Sequence, residues 1–106
     1  MTLPYTVEVV GPIDAIDPEN DNVDVYVRFE DGRSFSAAFF TPANIARLLD
    51  LYRVTGECSH GLYFWSVNMI VITTLTEDGI RETVADLLAT GEFNSAFAQD
   101  EPKHWL

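Results

Sequence analysis

Base is scarce in this chain. Seventeen aspartates and glutamates face six lysines and arginines, for a formal net charge of −11, and Lys103 is the only lysine. Eight of the acids lie between Glu8 and Asp31, where Arg28 is the sole base. Such a surface repels phosphate backbones and anionic headgroups, which argues against nucleic-acid and membrane-surface roles. It suits a basic protein partner or a cation, or it simply keeps the protein in solution. Cysteine is nearly missing as well. Cys58 is alone, so no internal disulfide can form and nothing implies an oxidising compartment. Long apolar runs are absent: Leu62–Trp65 and Met69–Ile72 are far too short to span a bilayer. Residues Met1 to Val10 include Pro4 and Glu8 and show neither the basic start nor the apolar middle of a secretion signal, so the cytoplasm is the expected location. None of the six glycines pairs with another at phosphate-loop spacing. Cys58, His60 and His104 are the whole supply of soft or imidazole ligands, too few and too scattered for a structural zinc site. No metal and no cofactor is expected.

What is present suffices for one core. Hydrophobic residues make up 47% of the 106 and aromatics 12%, which argues against disorder despite the charge. The length fits one domain. Residues 1–98 are expected to form it, with 99–106 a loose tail from which Trp105 can dock. A chain this short buries only about 60–70% of its unfolded surface, so it stands to gain from self-association.

Thr6–Val10 reads as a first strand, interrupted by Gly11-Pro12 and expected to resume over Ile13–Ile16 after a bulge. Val23, Val25, Val27 and Phe29 alternate with Asp24, Tyr26, Arg28 and Glu30, a strand with one wet face. Asp31-Gly32 then predicts a tight two-residue hairpin, returning through Arg33–Phe40 with Phe35, Ala37 and Phe39 on one face. Thr41-Pro42 is a helix start, and Ile45, Leu48, Leu49 and Tyr52 make one apolar stripe that Gly56 can end. Leu62–Trp65 and Met69–Thr73 read as two short strands turned by Ser66-Val67-Asn68, with one continuous strand as the competing reading. Thr76 caps a second helix with Ile80, Val84, Leu87 and Leu88 inward and Gly91 as its stop. Phe93 and Phe97 suggest a last helical turn. The order βββ-α-ββ-α implies an α+β fold, a mostly antiparallel sheet of about five strands with two helices on one face. Tyr26, Phe40 and one side of the 62–72 segment would then populate the opposite, partly open face.

Candidate chemistry is thin. Cys58 and His60, two apart in an extended segment, would point the same way and could pair as nucleophile and base. No third orienting group is evident, and the bland alternative is a half-buried cysteine beside a histidine in a loop. Asp17, Glu19 and Asp21 imitate the first ligands of a calcium loop, but Asn22 and Arg28 stand where glycine and glutamate are needed. The densest text is Leu62-Tyr63-Phe64-Trp65. One side of it belongs to a core. The other, with Tyr63 and Trp65, is either covered or is a recognition surface of the aromatic kind that dominates binding hot spots.

The pattern Phe39-Phe40-Thr41-Pro42-x-Asn44-Ile45, Thr55-Gly56-Glu57-Cys58, Gly61-x-Tyr63-Phe64-Trp65, Met69-Ile70-Val71 and Gly91-Glu92-Phe93 resembles a family of small stand-alone bacterial proteins of unknown function, over roughly residues 25 to 98. The resemblance implies a bacterial, intracellular protein and carries no catalytic residue with it. In size, charge and layout the chain is also similar to small acidic immunity proteins that neutralise basic toxins. The expectation is a non-catalytic protein-interaction or self-associating domain, its partner a basic protein or a second copy, with Tyr26, Phe40, Tyr63 and Trp65 as binding residues. The alternative is a small enzyme or ligand-binding protein using Cys58 and His60.

Overall fold

Strict alternation makes strand β2 (Asn22–Phe29) two-faced: Val23, Val25, Val27 and Phe29 are buried, while Asp24 and Arg28 face water. Each such burial is worth roughly 1.5–3 kcal/mol, which commits this strand to one register. The computed structural model, which describes residues 3–11 and 13–100, places β1 (Tyr5–Val9) antiparallel on one side of it and β3 (Ser34–Phe40) antiparallel on the other. Phe35, Ala37 and Phe39 extend the same buried face.

The β2–β3 connection differs from the tight two-residue turn expected of Asp31-Gly32. Phe29 N–H donates to the Arg33 carbonyl at 2.9 Å and Gly32 N–H to the Phe29 carbonyl at 3.0 Å, so Glu30, Asp31 and Gly32 all lie in the loop. Gly32, at φ +94°, occupies the left-handed position that follows a type I turn in a three-residue hairpin. Asp31 locks the loop by accepting the Arg33 backbone N–H at 3.1 Å and its guanidinium N–H at 2.8 Å.

Thr41 caps helix α1 (Pro42–Thr55), its hydroxyl accepting Asn44 N–H at 3.2 Å. The same oxygen accepts Asp21 N–H, and buried Asn44 bonds the side chains of Asn22 and Asn20. The acidic 17–22 loop is thereby clamped to the start of α1. Its carboxylates are turned inward on their own backbone: Asp17 accepts Glu19 N–H, and Asp21 accepts the N–H groups of Asp17 and Asn22. The stripe Ile45, Leu48, Leu49 and Tyr52 is half-buried, and α1 packs most closely on the short turn α2 (Glu57–Gly61).

Strand β4 (Met69–Val71) runs parallel to β3, Phe39 beside Ile70. The long excursion through α1 and α2 permits this, because parallel neighbours need a crossover of a dozen or more residues. Thr76 caps α3 (Glu77–Thr90), accepting Gly79 N–H at 3.0 Å, and Ile80 and Val84 reach the core with Leu87 and Leu88 beside them. A single turn, α4 (Phe93–Ala96), stacks Phe93 on Phe97 at 4.6 Å between ring centres, and Phe93 meets Phe29 and Phe35 edge-on. Strand β5 (Ala98–Gln99) then pairs antiparallel with the start of β3. The fold is α+β, a mostly antiparallel five-stranded sheet with helices packed on it.

Three further expectations change. Ile13–Ala15 forms a 3₁₀ turn instead of resuming β1. Leu62–Trp65 is no strand: it pairs with none of the described strands, and Phe64 packs against Phe40 and Tyr52 instead. Gln99 and Asp100 belong to the sheet rather than to a loose tail: Gln99 pairs with Phe35, and Asp100 N–H donates to the Ser34 carbonyl at 2.7 Å. The rest of that tail, Trp105 included, lies outside the described residues.

The Arg33 backbone N–H, ahead of the neighbouring guanidinium, holds the Asp31 carboxyl below its ordinary value of 3.8. A depressed acid stabilises the fold fully above its unfolded value, and that contribution is lost as pH falls through the folded one. NMR titration should place Asp31 below 3.8, and Asp31→Asn should flatten that part of the acid limb in urea midpoints measured against pH.

Candidate interaction surface

Beyond α1 the backbone does something L-residues avoid. Cys58, Ser59 and His60 take φ of 48, 54 and 58°, a full left-handed turn. Such a conformation costs about 1–2 kcal/mol per residue, so neighbouring structure must impose it. Gly61 shows how. A Cβ built there would sit 2.3 Å from the Leu49 carbonyl oxygen and 2.9 Å from Arg53 Cγ, so the chain lies directly against α1. Leu62 N–H closes the turn on the carbonyls of Cys58 and Ser59 at 3.1 and 3.3 Å. Tyr52 and Phe64 then stack at 6.3 Å, and Phe64 meets Phe40 edge-on at 5.1 Å. The Tyr52 phenol is pushed above its ordinary 10.0, first by partial loss of water and then by Glu57 and Cys58 nearby.

The turn throws the next residues outward. Phe64 is tucked in, but Leu62 is 79% exposed, Trp65 64% and Tyr63 49%. Val67, Met69 and Val71 continue the exposed series, and Leu51 and Val54 lie on α1, the helix against which Gly61 packs. Among the described residues, only Leu3 and Val10 add large exposed apolar side chains from elsewhere. From Cys58 to Thr76 there is no Asp, Glu, Lys or Arg at all. A chain with seventeen acids has therefore left its most apolar outer stretch uncharged, the combination of aromatic enrichment and charge depletion found at interface centres.

The outer sheet face adjoins this stretch. Ala38, Phe40, Met69 and Val71 lie on it, since they alternate with Phe39 and Ile70, which face the core. A shallow groove of about 270 Å³ runs between Tyr26, Ser36 and Ala38 on the sheet and Ser66, Val67 and Asn68 on the turn after Trp65. Arg28 lies over the Tyr26 ring at 5.0 Å and pairs with Glu8. At the other end, the Asp100 carboxylate accepts both the Ser34 and Ser36 hydroxyls, at 3.0 and 2.9 Å, pinning β5 to this face. Asn68, at φ +49°, donates from its side chain to the Ala96 carbonyl and ties the turn to the end of α4.

The four aromatic residues expected to bind are thus divided. Tyr63 and Trp65 are exposed and Tyr26 is half-buried on the groove floor, whereas Phe40 is only 7% exposed, covered by Phe64. Phe40 supports the surface from below. Cys58 and His60 do not point the same way, because residues two apart in a helical turn, of either hand, diverge by about 200°. Cys58 is half-buried, His60 is exposed with its ring folded towards Gly56, and neither side chain makes a hydrogen bond among the described residues. Among those residues no group of three or more His, Cys, Asp or Glu converges on a common point, and no helix is long and apolar enough to cross a membrane. The uncharged stretch from Cys58 to Thr76 escaped sequence reasoning, though the order of the residues displays it. Attention to the excess of acid hides the place where acid stops.

Two sets of substitutions test this layout. Gly32→Ala, at a position with open space around it, should cost about 1 kcal/mol for backbone conformation alone. Gly61→Ala, which must also move the α1 backbone or the turn, should cost about 2 kcal/mol more in urea unfolding. Tyr63→Ala and Trp65→Ala should each change stability by less than about 0.5 kcal/mol, while Phe64→Ala should cost about 2–3 kcal/mol.

No protein-family model, no curated protein and no solved structure matches this chain.

Proposed function

We propose that the chain is a non-catalytic interaction domain that buries the surface around Leu62, Tyr63, Trp65 and Val67 against another protein surface. One observation carries the reading: these side chains are exposed together in an uncharged stretch of an otherwise strongly acidic protein. Water is a poor environment for such a surface, and each square ångström covered is worth about 25 cal/mol. The rings are also well suited to recognition. Aromatic side chains lose little conformational freedom on contact, and Phe40 and Tyr52 brace them through Phe64. The left-handed turn supports the same view, because strain retained in a fold collects where the chain must be aimed. The acids, concentrated between Glu8 and Asp31 and again from Glu77 onward, keep unrelated acidic proteins away.

A photo-activated benzoylphenylalanine in place of Tyr63 tests this in living cells, with the same group in place of exposed Glu82 on α3 as the control. The expected outcome is a discrete protein adduct from position 63 and none from position 82. Equal labelling from both, or no protein adduct from position 63, overturns the reading.

A further inference from the structure

Resting on the reading of this surface as an interface, we infer that its occupant is a second copy of the same chain, joined about a twofold axis through the Leu62–Val71 stretch. Charge decides between candidates. A basic partner would be recognised by carboxylates, and the stretch from Cys58 to Thr76 has none to offer. A symmetric contact has the opposite need. Each patch must be complementary to itself, which a patch carrying one sign of charge cannot be and an uncharged apolar patch can. For two protomers of net charge −11 the requirement is strict, because the acid-rich segments 8–31 and 77–101 repel their own copies wherever they meet. The uncharged surface lets two copies meet over a stretch that itself carries no carboxylate, although Asp24 lines the adjoining groove.

The scale also fits. A stable interface takes about 800 Å² from each partner. Leu62, Trp65 and Val67 are more than 60% exposed, and Tyr63, Met69 and Val71 of the same stretch add to them, so large apolar side chains supply much of that area. The chain has reason to use it, since a fold of this length has little core in reserve and association adds buried area that the monomer lacks.

Salt gives the contact a signature. Attraction between an acidic rim and a basic partner weakens as salt screens it. A dimer held by apolar surface against the repulsion of its own acids tightens instead. Sedimentation equilibrium on the purified full chain across protein concentration and sodium chloride tests this directly. The expected result is a monomer–dimer equilibrium that tightens with salt, with a thermal midpoint that rises with protein concentration. Leu62→Asp and Trp65→Asp should each weaken dimerisation at least about thirtyfold, with urea midpoints at protein concentrations where both forms are monomeric unchanged because both side chains face water. A chain that stays monomeric at every salt concentration overturns the inference. So does a dimer that survives both substitutions, since its contact then lies elsewhere. If the monomer nevertheless gives an adduct with a different protein from position 63 in cells, the interaction surface stands and only the identity of its occupant is wrong.

Discussion

The second edge of β3 is the constraint on which most of this molecule turns. A strand has two edges, and β2 takes the whole of one. The other is divided end to end, with β5 opposite Phe35 and Ser36 and β4 opposite Ala38 to Phe40. Both newcomers are short, two and three residues, and both are held by side chains as well as by the ladder. Asp100 grips two serines behind β5, and Asn68 reaches from the turn before β4 to the end of α4. With that edge occupied, Leu62–Trp65 finds no place beside β3. An apolar run that looks like a strand lies instead at the surface, outside the sheet.

The displacement has its own support. Gly61 is pressed on the α1 backbone, the three residues before it are wound left-handed, and Phe64 alone of its neighbours turns inward to Phe40 and Tyr52. Exposure of the flanking rings is therefore built into the packing. Relaxing the turn to right-handed geometry would redirect the chain that follows Gly61, and Phe64 would lose its place over Phe40. The outer surface and this secondary cluster are two sides of one arrangement.

How much of this could be read in the residues depended on distance along the chain. The β2 alternation, the caps at Thr41 and Thr76 and the stripe of α3 are local signals, and the structure follows them. The hairpin was recognisable, but its loop length was not, because Asp-Gly serves a three-residue loop as readily once Glu30 joins it. Met69–Val71 was legible as a strand, but its parallel place beside β3 was not, and two-residue β5 has no periodicity to reveal it; both placements depend on a distant edge. Among the candidate site residues, Tyr63 and Trp65 could be recognised as surplus to a single sheet face. Phe40 could not be judged, since its cover comes from Phe64 across a helix and a turn. The divergence of Cys58 and His60 depends on a backbone conformation that neither residue favours, so no local rule would have suggested it.

The opposite margin of the sheet is closed by different means. Val10 N–H bonded to Asp24, and Glu30 N–H bonded to Pro4, set the pairing so that Tyr5, Val7 and Val9 direct their peptide groups away from β2. Such a border could template further strands without limit. Here it is only five residues long and carries a carboxylate at Glu8. Fibre-like growth is discouraged along one side of the molecule by chemistry that costs the fold little.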